Sequence, residues 1–225
     1  MPTGFTRSPK FLKGALVAYE SQFIAAVPNI IVFQYNPEQL SRSLSHRVEI
    51  AEVKDVGKAR SETYRTSGPP VETIDITVTI DAADQLAEPQ LHPFAVARGI
   101  HPVLAALELL MYPPADQFIQ LSALAAAGSA QLSSIDVPLV LFVWGPSRVL
   151  PVRLTSFSVT EQAFDQQLNP IRGEVRLGMK VMSYVDLKAD SIGYGAYMAT
   201  QTQKEIMARL NIANNVEQII GMLPI

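Results

Sequence analysis

The chain of 225 residues carries 18 lysines and arginines against 21 aspartates and glutamates, which gives a formal net charge of −3. This balance leaves no basic excess to neutralise a phosphate backbone, so nucleic-acid binding is not expected. The sequence holds no cysteine, which excludes disulfides, thiolate metal sites and a cysteine nucleophile. Charged residues make up only 17%, against about 25% in typical soluble domains, as expected for a subunit whose surface is partly covered in an assembly.

The apolar segments bear on localisation. No apolar run approaches the roughly 18 residues that a membrane span requires. Residues 1–10 also lack the apolar centre of a signal peptide. We expect a protein without a direct membrane span that is made and kept in the cytoplasm, at least until it is assembled.

The N-terminal part of the chain predicts an arm and three strands. Residues 1–12 contain prolines and a glycine without periodicity, which indicates a mobile arm. Apolar segments predict strands at 14–20, 29–35 and 40–50. Asn36 and Pro37 force a turn after the second strand, because the residue before a proline is pushed out of the α region. Arg42 and His46 interrupt the alternation of the third strand, which indicates a ribbon with one partly covered face.

Residues 52–70 predict a long loop, because the segment is polar and ends in the sequence SGPP. Its charges are nearly balanced, with Lys54, Lys58, Arg60 and Arg65 against two glutamates and one aspartate. Such a run is most often a solvated loop. The alternative is a loop that docks on a neighbouring protein.

The most regular patterns lie at 71–81 and 100–112. In residues 71–81, isoleucines and a valine alternate with aspartates and threonines, which predicts a half-buried antiparallel strand. Residues 100–112 carry an apolar stripe at helical spacing with Pro102 in the first turn, and two prolines end the predicted helix. Residues 115–136 are rich in alanine and serine and are left unassigned.

The C-terminal half predicts more strands and a helical tail. Strands are predicted at 138–144, 149–160 and 174–185, with a loop at 164–173. The apolar parity of the middle strand switches between Leu154 and Phe157, which indicates a bulge. The tail predicts a helix over 190–225 with a break near Asn214 and Asn215.

Six or seven mainly antiparallel strands and one central helix predict an α+β, mainly β fold. The expected architecture is a two-sheet antiparallel sandwich or barrel with one packed helix. Strands do not alternate regularly with helices, so a doubly wound sheet is not expected. The expected organisation is an arm (1–12), one β domain (13–188) and a C-terminal helical extension (189–225).

The residues offer little for catalysis. No metal-binding spacing links the three histidines, and the serine-hydrolase elbow G-x-S-x-G is absent. Asp75 and Asp81 share the polar face of the strand at 71–81, but nothing implies the cleft that a glycosidase-type carboxylate pair needs. The single Trp144 is either a ligand platform or, as is more common, a residue that seals the end of a core. We therefore expect no enzyme activity, no cofactor and no metal.

Residues 32–43, with the sequence VFQYNPEQLSRS, resemble the F-x-F/Y-N-P-x-x-L/I-x-R segment near the start of contractile injection system tube-type proteins. The matching positions are Phe33 and Tyr35 for the aromatic pair, Asn36 and Pro37 for the turn, and Leu40 and Arg42 for the start of the next strand.

Three further segments are similar to the same family, in the same order along residues 12–186. The SGPP sequence and the strand after it resemble the family's G-P loop and a strand that often ends in aspartate, here Asp81. The segment PLVLFVWG is similar to the P-P-x-V/L-x-F-x-W-G strand, with matches at Pro138, Trp144 and Gly145. Residues 164–172 are similar to the F-x-x-x-G-x-P-x-R-A loop, with the glycine and alanine replaced and matches at Phe164, Pro170 and Arg172.

The resemblance implies the phage tail-tube fold, in which two β-sheets pack as a barrel-like sandwich with a helix against the side, and it implies hexameric rings. The implied ring lies at the baseplate, joins the spike or hub to the inner tube and initiates tube assembly. The implied partners are copies of the chain, the inner tube protein, the spike or hub protein and other baseplate proteins, in a phage tail-like particle assembled in the cytoplasm. A LysM-like module, which follows this domain in many relatives, is not expected, because the residues after Asp190 are few and lack its G-D-T-L start.

In such a ring, the ribbon from residue 40 to about residue 65 is the expected contact to the next subunit or ring. The polar face of 71–81 would line a lumen. The tail either packs on its own domain or docks on a baseplate neighbour. Two alternative functions stay open: the main inner-tube protein, which is usually shorter and tail-less, and a small-molecule-binding β-barrel or an unrecognised hydrolase.

Overall fold

The computed structural model describes residues 12–19, 28–47, 68–113, 115–126 and 137–222. Seven strands lie in this part of the chain: β1 (Ala15–Tyr19), β2 (Asn29–Val32), β3 (Leu40–Ser45), β4 (Val71–Asp81), β5 (Leu139–Val143), β6 (Val149–Phe164) and β7 (Pro170–Val181). The same part holds the helices α1 (Ala83–Ala87), α2 (Pro93–Arg98), α3 (His101–Glu108), α4 (Ala115–Ala126) and α5 (Ile192–Met222). The predicted arm, except for Leu12, and most of the predicted loop 52–70 lie outside the described residues.

The strands form one antiparallel sheet in the order β2-β1-β5-β6-β7-β4-β3. Strand β4 has the predicted bounds, and its alternate residues Ile74, Ile76, Val78 and Ile80 are buried. Aspartates and threonines occupy the other face of the same strand, as expected for a sheet with one face on the core and one in water. The expectation of a mainly β fold is thereby confirmed.

The described strands form a single sheet where the sequence predicted two. The hairpin of β6 and β7 crosses the middle of the sheet and pairs with β5 on one side and β4 on the other, so the hydrogen bonding is continuous. The register of β6 shifts between Leu154 and Ser156, which confirms the predicted bulge. Because a bulge bends a strand and increases its twist, one long sheet can curl around a core without splitting into two.

One hydrophobic core lies inside the curl and is covered by α3. Leu104 and Leu107 project from α3 into it, with Ile100 and Leu110 on the flanking turns. The sheet supplies most of the largest fully buried side chains, among them Leu16, Ile74, Phe142, Leu150, Leu177 and Met179. The packing of α3 on the open side of the sheet explains the apolar stripe seen in the sequence.

Several boundaries differ from the prediction. Strands β2 and β3 are shorter than expected, whereas β6 runs on to Phe164, so the predicted loop 164–173 shrinks to the turn 165–169. Strand β7 already begins at Pro170, because a proline is tolerated as the first residue of a strand, where no ladder bond needs its missing N–H.

The helices also depart from the prediction. Helix α3 ends at Glu108 rather than at residue 112, and α1, α2 and α4 were not predicted. Helix α1 has no buried residue and α2 buries only Ala95, so neither leaves an apolar stripe in the sequence. Helix α5 continues through Asn214 and Asn215, where a break was predicted, since asparagine lowers helix propensity much less than proline does. No helix in the described ranges combines the length and apolar character needed to cross a bilayer.

Candidate functional site

Asn36 ties the segment after β2 to the start of β1. Its Oδ1 accepts the N–H of Gly14 at 2.9 Å, and its Nδ2 donates to the carbonyl of Leu12 at 2.8 Å. The buried Phe33 adds a backbone bond from its N–H to the Gly14 carbonyl at 2.9 Å. The Asn36 amide therefore forms the two backbone hydrogen bonds that a neighbouring strand would otherwise form. An aspartate could not form both, because it has no N–H to donate. Pro37 is half-buried beside this turn, and Tyr35 is exposed.

The aromatic residues of two separate motif segments meet at Gly14. A Cβ at this position would lie 2.8 Å from ring atoms of both Phe33 and Trp144, so only glycine fits. Trp144 is half-buried, and its ring stacks on that of Phe142 with centroids 5.8 Å apart. Trp144 thus occupies the position of a residue that seals the end of the core.

The turn after Trp144 explains the glycine of the same motif. The N–H of Trp144 donates to the carbonyl of Arg148 at 2.8 Å. Gly145 lies inside this turn with φ +77°, in the left-handed region that favours glycine. Pro138 is half-buried immediately before β5. Pro138, Trp144 and Gly145 thus lie at the two ends of β5, and the last two form the turn that leads into β6.

Gln34 lies between the two aromatic residues of the first motif and pairs with the end of β4. Its Nε2 donates to the carbonyl of Asp81 at 2.6 Å, and its Oε1 accepts the N–H of Asp81 at 2.8 Å. One side-chain amide thus satisfies both backbone groups of a β4 residue. Because β2 lies at one edge of the sheet and β4 next to the other edge, this pair joins the two sides of the curled sheet.

The last motif segment forms the hairpin from β6 to β7. Phe164 is exposed and is the strand partner of Pro170, which is buried. The carbonyl of Pro170 accepts the N–H of Ile100 at 2.9 Å, which joins the hairpin to the start of α3. Arg172 is exposed, and its Nε lies 3.9 Å from Oδ2 of Asp81.

The tip of this hairpin is held by Asp165. Its Oδ1 accepts the N–H groups of Gln167 and Asn169 at 2.7 and 2.8 Å, and its Oδ2 accepts the side-chain Nδ2 of Asn169 at 2.8 Å. Chiefly because of the side-chain bond from Asn169, the pKa of Asp165 lies below its ordinary value of 3.8. Leu168, at φ +63°, adopts a backbone conformation that is uncommon for leucine. The Asp165 bonds fix that conformation.

Arg42 belongs to an ion cluster that the sequence did not predict. Glu72 on β4 is buried, with an exposed fraction of 5%. The Nε of Arg42 on β3 lies 2.9 Å from its Oε1, and the Nζ of Lys204 on α5 lies 3.1 Å from its Oε2. Lys204 donates a hydrogen bond to Oε2 of Glu72. Arg42 lies within ion-pair distance of Oε1, but this contact lacks the alignment of a hydrogen bond. We call Arg42, Glu72 and Lys204 the Glu72 triad.

The polar face of the sheet carries a concavity with a volume of about 950 Å³. It is lined by side chains of β3, β4, β6 and β7 and of the segment before β3. The acidic residues of its lining are Glu38, Asp75, Asp81 and Glu174, and the basic ones are Arg172 and Arg176. Arg176 contacts Glu174 at 3.2 Å, so part of this charge is paired within the face. The arrangement is a broad polar surface rather than a cleft around a reactive pair.

A smaller cavity of about 260 Å³ lies between β2, β4 and α3. Its lining is mainly apolar and includes Phe33, Ile80, Ile100 and Leu107. Drug-sized ligand pockets usually measure about 300–1,000 Å³, so this cavity lies below that range.

Several predicted positions do not contribute to these sites. Lys54, Lys58, Arg60 and Arg65, the basic residues of the predicted loop 52–70 for which docking on a neighbour was the alternative, lie outside the described residues. Within the described ranges, no group of three or more histidine, aspartate or glutamate side chains could hold a metal ion.

Sequence reasoning missed Gln34, Gly14, Glu72 and Lys204. A signal existed for Glu72, because it is the one acidic residue at an inward-facing position of the 71–81 alternation. A charge at such a position needs a partner when buried.

Compared with known proteins, the sequence matches no protein-family model, and no curated protein matches it either.

Proposed function

We propose that the chain is a structural subunit of a contractile injection system. In this proposal it has the tail-tube fold, forms a hexameric ring at the baseplate, joins the spike or hub to the inner tube and initiates tube assembly. It acts without catalysis or cofactor, and its partners are its own copies, the inner tube protein, the spike or hub protein and other baseplate proteins.

The observation that carries the proposal is a broad polar sheet face next to β3, which is an edge strand among the residues that the structure describes. Strand β3 is the last strand of the sheet, and its residues 41–45 are exposed. An edge strand offers unpaired N–H and C=O groups, which a neighbouring copy can complete. In a closed ring every copy completes the edge of the next, so no free edge remains to form fibres.

The polar face fits the inner wall of such a ring. Asp75 on β4 and Arg176 on β7 project from the centre of the sheet on the side opposite to the core. A wall of mixed charges stays hydrated and offers no apolar patch to which a passing molecule would adhere. We therefore propose that this face lines a lumen, with Asp75 and Asp81 among its acidic side chains.

The placement of the motif residues also supports the proposal. Asn36 and Trp144 hold the first two strands to β5, and Pro170 joins the β6–β7 hairpin to α3. Residues of three of the four motif segments thus stabilise the joints of one sheet. Contacts of this kind are typical of a scaffold.

Electron microscopy tests the proposal. The purified chain should form rings when mixed with the inner tube protein and the spike or hub protein of the same particle, and a label on the chain should mark one level at the baseplate end of sheared particles. Labels along the whole tube, or long tubes formed by the chain alone, would favour the main inner-tube protein. A monomer that stays monomeric with both partners and binds a metabolite would overturn the proposal in favour of a ligand-binding barrel.

A further inference from the structure

The Glu72 triad connects three elements through one buried carboxylate. Arg42 belongs to the edge strand β3, Glu72 to β4, and Lys204 to helix α5. Each cation approaches a different carboxylate oxygen, at 2.9 Å for Arg42 and 3.1 Å for Lys204. About a third of each cationic side chain is exposed, whereas that of Glu72 is 6% exposed. The acceptor is therefore fixed in the protein, and both donors reach it from the surface.

Lys204 lies between the anchored part of α5 and a stretch of exposed helix residues. One turn before it, the Oγ1 of Thr200 donates to the carbonyl of Val149 at 2.7 Å and anchors the helix at the start of β6. Residues 205–211, after Lys204, are exposed. The segment from 205 to the end of α5 at Met222 is about 27 Å long at 1.5 Å per residue. The contact between Lys204 and Glu72 thus holds α5 to β4 immediately before the exposed residues 205–211.

The two cations compete for Glu72. A buried carboxylate must be compensated, and either cation alone can do this. Arg42 and Lys204 approach the same carboxylate, so the two positive charges repel each other there. If Arg42 leaves, this repulsion of Lys204 is removed, the net attraction of Lys204 to the site increases, and the helix is held more tightly. If both cations leave, the buried charge is uncompensated.

We infer that the Glu72 triad couples the edge strand β3 to the position of helix α5. Drawing Arg42 away from Glu72 tightens the attachment of α5 at Lys204, and restoring Arg42 loosens it. The coupling is a property of the isolated chain. Its use in assembly rests on the proposed function: a neighbouring copy that pairs with β3 and engages Arg42 would stiffen α5 for its next contact.

Hydrogen exchange of the isolated chain tests the coupling. The amides of residues 201–208 are followed relative to amides of β7, which correct for any change in global stability. We expect several-fold slower relative exchange in Arg42→Met and several-fold faster exchange in Lys204→Met. In a Glu72→Gln background, Arg42→Met should have no effect on these amides. Faster or unchanged exchange in Arg42→Met would overturn the inference, because a merely structural role for Arg42 would loosen the helix or leave it alone.

Urea unfolding gives a second readout. The double variant Arg42→Met with Lys204→Met should lower the urea midpoint by more than the sum of the two single variants. In the Glu72→Gln background, the two single effects on the midpoint should simply add. If the double variant does not fold, Arg42→Lys and Lys204→Arg keep the charges and should leave the exchange near that of the original chain. Simple additivity with Glu72 in place would overturn the inference. Because both measurements use the isolated chain, a failure of ring formation leaves their outcome unchanged.

Discussion

The side-chain amide of Gln34 forms both backbone hydrogen bonds of Asp81, donating to its carbonyl at 2.6 Å and accepting its N–H at 2.8 Å. Gln34 follows edge strand β2, and Asp81 ends β4, so the two residues join parts of the sheet that share no ladder. The pair closes the curl where the backbone of β2 has ended. The pair thus adds to the core packing that holds β2 and β4 together.

Replacing Gln34 with methionine should therefore destabilise the protein. The variant keeps the size of the side chain but leaves the N–H and carbonyl of Asp81 without a partner, at a cost of about 1–3 kcal/mol. Urea unfolding measures this cost. The exposed Gln39 lies outside this joint, so Gln39→Met should change stability by less than about 0.5 kcal/mol. Equal effects of the two variants would contradict the closing role of Gln34.

Two glycines offer a matched pair of alanine substitutions. Gly14→Ala places a methyl group 2.8 Å from the rings of Phe33 and Trp144 and should cost about 1–3 kcal/mol through overpacking. Gly195 lies in α5 with no atom within 4 Å of an added Cβ, so Gly195→Ala should stabilise the protein by about 0.5–1 kcal/mol. Thermal or urea unfolding checks the opposite signs. A harmless Gly14→Ala would mean that the aromatic contact is looser than described.

The hairpin tip should respond to acid through Asp165. Its pKa is lowered in the folded protein, mainly by the side-chain bond from Asn169. The stability that it contributes is therefore present above the unfolded-state pKa and is lost as the pH falls through the folded-state pKa. Asp165→Asn should be less stable than the original chain at neutral pH, and the difference should shrink in acid.

Carboxyl carbon NMR titration measures the same property directly. The midpoint for Asp165 should lie below 3.8 in the folded chain. Asn169→Ala removes the largest cause of the shift and should raise this midpoint. A midpoint at or above 3.8 in the original chain would contradict the described bonding.

If β3 is the ring contact, a charge added to this strand should prevent ring formation. Leu44 on β3 is 49% exposed, and Leu44→Lys should reduce ring formation because a lysine on an edge strand opposes strand addition. Leu124 on α4 is 51% exposed, so Leu124→Lys is a control of the same chemistry away from the edge. Sizing chromatography and electron microscopy give the readout. Rings that persist in Leu44→Lys, with both variants folded, would exclude β3 as the ring contact.

Local sequence patterns were sufficient to predict β4 and the bulge in β6. The alternation of Ile74, Ile76, Val78 and Ile80 predicted β4 with its observed bounds, because a β-branched strand with one polar face has a single way to bury its apolar side. The parity switch after Leu154 predicted the bulge in β6. Helices α1 and α2 escaped prediction because they bury almost nothing and thus carry no periodic signal.

The mainly β composition, the chief strands, the bulge and the helical tail could be predicted from local sequence patterns, since these features depend on side chains that are neighbours along the chain. Three features emerged from the folded chain alone: the strands form one sheet, Gln34 reaches Asp81, and Arg42 and Lys204 share Glu72. The members of these contacts are 30 to 132 residues apart. Their meeting depends on how far the sheet curls, which is set by the packing of the whole core and by no local pattern.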